Sequence, residues 1–198
     1  MISRKTVMLL VVAAVVAGWV QSVQANGPWK AQIVDAETGR PLEGVVVLAV
    51  WTARSAGQIH PRDEFHDVDE LVSDADGRIV IPARGETIPS QPRAVLLGPR
   101  ILMFKAGYGR WGFSEIETRR AELKDAYARD EAFDREWAKF ATEGVVVVLP
   151  SLKTAQQRLQ FIDSVDCCPA PEPRIPRFVD AVSSERTSLG YAPYRRRP

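Results

Sequence analysis

Apolar and polar positions along this chain change rhythm several times, and each rhythm predicts an element. Residues 7–20 are an almost unbroken apolar run. Over 29–35 large apolar and polar residues alternate, the period of a half-buried strand. Turn formers fill 35–42, and Gly44 then opens GVVVLAVWTAR, a β-branched and aromatic stretch that predicts a central strand buried on both faces over 45–51. The polar stretch 55–62, with Gly57 and Pro61, predicts a loop. Residues 64–73 carry Phe65, Val68 and Leu71 at irregular spacing, which predicts a strand with a bulge. Asp74-Ala75-Asp76-Gly77 has the composition of a tight turn, and 78–82 reads as the return strand of a hairpin. A loop rich in Pro and Gly is expected over 83–99, a strand over 100–106, and a further short strand from Trp111.

The rhythm then lengthens. Residues 117–142 are dense in charge and free of Gly and Pro. Leu123, Ala126, Tyr127, Phe133, Trp137, Phe140 and Ala141 recur near a 3.6 period, which predicts an amphipathic helix with a break near Asp130 and Glu131. VVVVLP at 145–150 is a short buried strand by its composition and borders. Ser151 is placed to cap a second helix whose apolar face holds Leu152, Ala155, Leu159 and Ile162. The Pro-rich stretch 166–177 reads as an extended linker, followed by a helical patch over 178–189 and a Tyr/Pro/Arg tail.

The first 25 residues add an address. Arg4 and Lys5 precede the apolar run, and Val23-Gln24-Ala25 supplies small residues near a cut, the layout of a secretory signal peptide. A helix over the run would span roughly 21 Å, short of the ~30 Å hydrocarbon core. The expectation is therefore export to the periplasm or cell envelope, with an uncleaved anchor as the alternative. No second long apolar stretch follows, so the mature chain is not expected to span a membrane. The chain has 26 Lys+Arg and 25 Asp+Glu. Loss of Arg4 and Lys5 leaves the rest within one charge of neutral, which gives no global attraction to nucleic acid. Cys167 and Cys168 are adjacent and cannot make a long-range cross-link with each other. Two free thiols is the plain reading, and in an oxidising compartment either one offers a route to a disulfide-linked dimer.

Three segments carry a resemblance. Residues 31–47 (AQIVDAETGRPLEGVVV) resemble the D-x-x-T-G-x-P-L-x-G-V opening of carboxypeptidase regulatory-like domains. Residues 71–82 (LVSDADGRIVIP) are similar to that family's T-D-x-D-G-x-F-x-I-P hairpin, and 104–108 (FKAGY) to its K-x-G-Y segment. The resemblance covers residues 30–110. It implies a mainly β fold: a seven-stranded, transthyretin-like (prealbumin-type) Greek-key β-sandwich, here with a helical insertion at 117–142 and a C-terminal helix. The implied organisation is a signal peptide at 1–25, the sandwich with its insertion at 26–150, and a helix, linker and tail at 151–198. The fold alone assigns no function, since such modules often serve as binding units.

Candidate chemistry is sparse. His60, Asp63, His66, Asp67, Asp69 and Glu70 form the one cluster of histidines and acids. His60, Asp63, His66 and Asp69 are its candidate metal ligands, but neighbours on a strand alternate sides, so His66 and Asp69 do not readily face one ion. The chain contains neither H-E-x-x-H nor G-x-S-x-G. Asp74-Ala75-Asp76-Gly77 resembles the start of a calcium loop, but Pro82 interrupts the frame and a turn is the simpler reading. The fold also hosts 5-hydroxyisourate hydrolases, whose terminal Y-R-G-S is matched only by Tyr194-Arg195. Arg195, Arg196 and Arg197 are too few for strong binding to an anionic surface. The expectation is a non-catalytic exported module that binds a protein or glycan partner, without a catalytic residue, metal or cofactor. The alternative is a metal-dependent hydrolase working through the His60/His66 acidic segment.

Overall fold

The computed structural model describes residues 27–55, 63–85, 87–91, 93–165 and 170–194. Seven strands form two mostly antiparallel sheets. The first has the order β4-β1-β7-β6, built from β1 (Trp29–Asp35), β4 (Arg78–Ile81), β6 (Gly112–Phe113) and β7 (Val145–Leu149). The second has the order β3-β2-β5, built from β2 (Val46–Ser55), β3 (Asp63–Val72) and β5 (Ala94–Phe104). β1 and β7 run parallel, from Ala31 opposite Val145 to Asp35 opposite Leu149. Four helices accompany them: α1 (Ser114–Thr118), α2 (Ala126–Thr142), α3 (Ala155–Ser164) and α4 (Pro176–Ser188). Helix and strand thus take similar shares of the described chain, more helix than a mainly β module implies.

The molecule has three layers, with β3-β2-β5 in the middle. One face of β2 presents Val47, Ala49, Trp51 and Ala53 to Trp29, Ile33, Ile79, Ile81 and Val147 of the first sheet. Its other face presents Val46, Leu48 and Val50 to Ile162, Ile175, Phe178 and Val182 from the C-terminal segment. Phe104 stacks on Phe161 at 6.2 Å and meets Phe178 edge-on at 5.8 Å. The C-terminal stretch is therefore a covering layer and not a linker with a tail: Ala170 and Ile175 are buried, and residues 172–174 form a 3-10 turn.

Several boundaries differ from the sequence expectation, each for a local reason. The turn at 74–77 is tight, with Gly77 N donating to Asp74 O at 2.9 Å and Asp74 Oδ1 accepting from the amides of Asp76 and Arg78. It does not close a hairpin, because β3 pairs with β2 and β4 pairs with β1. Ser73 holds the end of β3 on the middle sheet, accepting from Val45 N at 2.9 Å and donating to Leu42 O at 2.6 Å. Gly77 O then accepts from Ile33 N at 2.7 Å, so the turn carries the chain from one sheet to the other. β5 begins at Ala94, inside the expected loop. Gly98 and Pro99 fit because they form a bulge between the pairs Thr52–Leu97 and Val50–Arg100, where a proline loses no ladder bond.

The expected 117–142 helix breaks elsewhere than predicted. α2 runs unbroken through Asp130 and Glu131, both exposed, and the interruption lies at 119–125. Asp125 sets the start of α2 by accepting from Ala128 N at 2.7 Å. Phe140, fully buried, anchors α2 in the layer between the sheets beside Phe113, with Trp137 packed against it. Ser151 does not cap the next helix. Thr154 does, in a capping box with Gln157, while the Ser151 hydroxyl donates to Glu37 at 2.7 Å.

Gly77 supplies a sharp test of the sheet-switching turn. Its φ is +71°, and a Cβ there would lie 2.3 Å from Ile33 O. Gly77→Ala is expected to lower stability by about 2 kcal/mol or more. An unchanged urea midpoint for the variant would show that the turn tolerates a side chain and is not held as described.

Candidate functional site

Polar or cavity-forming groups gather, among other places, at the end of the two sheets where the turns meet, on the acidic strand β3, and in a groove on the edge of β5. At the first, the Asp35 carboxylate organises its own turn. Oδ1 accepts from Glu37 N, Thr38 N and Thr38 Oγ1 at 2.9, 2.7 and 3.0 Å. Oδ2 accepts from the Tyr108 hydroxyl at 3.0 Å. The Thr38 amide, more than offsetting burial, holds the Asp35 carboxyl below its usual range, and burial beside that carboxylate pushes the Tyr108 phenol up. Lys105 Nζ donates to Glu43 O at 2.7 Å, so residues 35–43 and 105–108 are fastened to each other twice. Every acceptor here has a donor, and the cluster reads as a joint.

β3 carries the acids singled out from the sequence. The ladder shifts register between Trp51 and Thr52, whose partners are Asp67 and Phe65, so His66 is the extra residue of a bulge. The bulge leaves Asp67 and Asp69 opposite Trp51 and Ala49, on the face toward the first sheet. There Arg84 bridges them, at 2.7 Å to Asp67 Oδ2 and 2.6 Å to Asp69 Oδ1. Its guanidinium lies 4.9 Å above the Trp51 ring, and Trp51 Nε1 donates to Asp69 Oδ2 at 2.8 Å. Arg174 reaches the remaining oxygen of Asp67. Asp63 is bound through both oxygens by Arg54, at 2.7 and 3.0 Å. Glu70 accepts from Arg177 N and Phe178 N at 3.2 and 2.7 Å, in the first turn of α4, where a carboxylate is favoured.

These four acids are therefore engaged in fastening the fold. Asp67, Asp69 and Glu70 tie β3 to Arg84 and to the C-terminal layer, and Asp63 pins the end of β2. Burial raises the Asp67 carboxyl, but Arg84, the Val68 amide and Arg174 together more than reverse this and leave it lowered. Among the described residues no group of three His, Cys, Asp or Glu is arranged to hold a metal ion. His60, Cys167, Cys168, Arg195, Arg196, Arg197 and the segment 1–25 lie outside the described residues. Sequence reasoning missed Arg84, Arg158 and Arg174, the partners that neutralise the acids. A lone arginine in a loop has no spacing signal that ties it to a strand far along the chain. Arg158 grips the buried Glu185 at 2.6 and 2.5 Å, and Glu185 also accepts from Gly107 N at 2.9 Å, which locks α3, α4 and the turn after β5 together.

The third place is a groove of about 550 Å³ along the edge of β5. Apolar side chains line it: Ile101 and Met103 from β5, Phe113 from β6, Phe133 from α2, and Phe161 and Val165 from α3 and its end. Ile101 and Met103 belong to the layer between the sheets, whereas Phe161 and Val165 belong to the C-terminal layer. The groove thus opens onto both apolar layers around one edge strand. It lies where β5, the edge strand of the middle sheet, has β2 on one side and no strand on the other. Trp111 Nε1 donates to Ile101 O at 3.3 Å, so a side chain stands where a neighbouring strand would. Arg100 and Arg110 also line the groove.

No protein-family model, curated protein or solved structure matches the chain. Among the described residues no helix is long and apolar enough to cross a membrane.

The clasp on β3 has a pH signature. A carboxyl whose value is lowered by folding stabilises the fold above its unfolded value, and that contribution is lost as pH falls through the lower, folded value. Arg84→Ala strands two half-buried carboxylates and is expected to cost about 2 kcal/mol near neutral pH, with a smaller loss at acid pH, where Asp67 protonates. Urea midpoints across pH 3–7 check this. A penalty that is flat with pH would mean that the ion pairs do not contribute as described.

Proposed function

We propose that the chain is an exported, non-catalytic β-sandwich module that binds a protein or glycan partner at the periplasmic or envelope side. The observation that carries this reading is the use made of the polar residues. Asp63, Asp67, Asp69 and Glu70 of β3, and Asp35, are occupied by arginines, backbone amides and Tyr108, so among the described residues these acids are engaged in holding the fold. The same joint supports the likeness to carboxypeptidase regulatory-like domains with a transthyretin-like Greek key. The D-x-x-T-G turn, the Asp74–Gly77 turn and the K-x-G-Y segment are separated in sequence, yet Asp35, Gly77 and Tyr108 each bond to the end of β1 or its turn. The layout of residues 1–25 supports export, and in an oxidising compartment Cys167 or Cys168 would join two copies.

Helix α2 offers the partner surface. Its inner side is anchored by Phe140, while Tyr127 is 73% exposed and Phe133 44% exposed. Aromatic side chains held on a rigid helix supply contact area at low entropic cost. Crosslinking in intact cells is expected to yield an adduct of defined mass. In the Tyr127→Ala/Phe133→Ala variant that yield should drop about tenfold or more. An adduct that survives the double substitution would place the partner elsewhere. Stoichiometric metal in the purified chain, lost in His66→Ala, would overturn the non-catalytic reading itself.

A further inference from the structure

The groove on β5 has a composition that the partner surface on α2 does not explain. Its walls are apolar, and Met103 and Phe113 at its base are almost fully buried. Its volume of about 550 Å³ lies within the ~300–1,000 Å³ typical of small-molecule sites. Most arginines of the described chain sit against a carboxylate: Arg54 on Asp63, Arg84 on Asp67 and Asp69, Arg158 on Glu185, Arg186 on Asp163. Arg100 and Arg110 have no acidic partner among the described residues, and both line the groove. The one acid on its lining, Glu117, is paired with Arg120 at 3.1 Å. Backbone polarity adds to this. The Ile101 carbonyl faces away from β2 toward Trp111, and in an antiparallel ladder the amide of the same residue points the same way. The groove therefore combines an apolar bed, uncompensated positive charge and an outward-facing amide.

We propose that this groove binds an acyl carboxylate, a single anionic head on a medium-length hydrocarbon chain. The chain lies between Ile101, Met103 and Phe113 on one side of β5 and Phe161 and Val165 on the other. The carboxylate is held by Arg100 or Arg110, whose planar guanidinium matches it in bidentate fashion. A cationic head on the same chain would meet like charge, and a neutral head would leave both guanidiniums without an anion. This site goes beyond the partner surface, shares only Phe133 with it, and is tested separately from it.

The full mature chain is titrated with decanoate, decyltrimethylammonium and decanol, by calorimetry and by following the Trp111 indole N–H resonance, assigned with Trp111→Phe. Decanoate is expected to bind saturably and shift that resonance, since Trp111 lines the groove. Decyltrimethylammonium should not bind. Arg100→Gln/Arg110→Gln, both exposed positions, should keep the parent melting temperature and weaken decanoate binding about tenfold or more. The proposal is overturned if decanoate does not saturate, if decanol binds as tightly as decanoate, or if the double variant binds like the parent. It is likewise overturned if an extended peptide of alternating Val and Glu shifts the Trp111 resonance and decanoate does not, which would make the edge a strand-docking site. Loss of the crosslinked adduct in Tyr127→Ala, a position that does not line the groove, with decanoate binding intact, leaves this inference standing.

Discussion

Strand β2 has no face left for water. Val47, Ala49 and Trp51 are fully buried on one side, and Leu48 with Val46 and Val50 on the other. Covering each such side chain contributes roughly 1.5–3 kcal/mol, so neither face can be left open without a large loss. One cover is the sheet β4-β1-β7-β6, and the other is the pair α3 and α4 with the turn before α4. The rest of the architecture serves to keep those two covers in place.

Charge does much of that fastening. Glu185, almost fully buried, binds Arg158 and the Gly107 amide; burial raises its carboxyl, and those donors outweigh burial and leave it lowered. Asp67 collects Arg84 from the loop after β4 and Arg174 from the C-terminal layer, and Glu70 receives the first amides of α4. These contacts span long stretches of sequence and join the edge strand β3 to both covers. The acids that make the segment look chemically busy are therefore spent on assembly. The groove on β5 is different in kind, because Arg100 and Arg110 have no acidic partner among the described residues and its walls belong to two cores at once.

Much of the frame was legible from residues alone. The alternation in Trp29–Asp35 and the unrelieved apolar run around Val46–Trp51 are direct consequences of burial on one face and on two. The turn at Asp74–Gly77 was legible as a turn, but its destination was not. Only the bonds of Ser73 to Leu42 and Val45, and of Gly77 to Ile33, send β4 to a different sheet. The early start of β5 was hidden because Gly98-Pro99 reads as loop, whereas a bulge absorbs it. The break in the helical region was misplaced because Asp130 and Glu131 look like an interruption, although exposed acids sit comfortably on the outer side of α2. For the site, the acids were visible and their arginine partners were not. The groove, assembled from five elements, has no counterpart in any single stretch of sequence.

The position of the third layer after both sheets in the chain order has a consequence for biogenesis. A polypeptide made from its N-terminus completes both sheets by Leu149, while Ile162, Ile175, Phe178 and Val182 are still to come. Through that interval the outer face of the middle sheet is a bare apolar plate, the kind of surface on which nascent chains stick to one another. Until α4 has docked, the middle sheet keeps one apolar side exposed, so docking of α3 and α4 guards against self-association from within the chain.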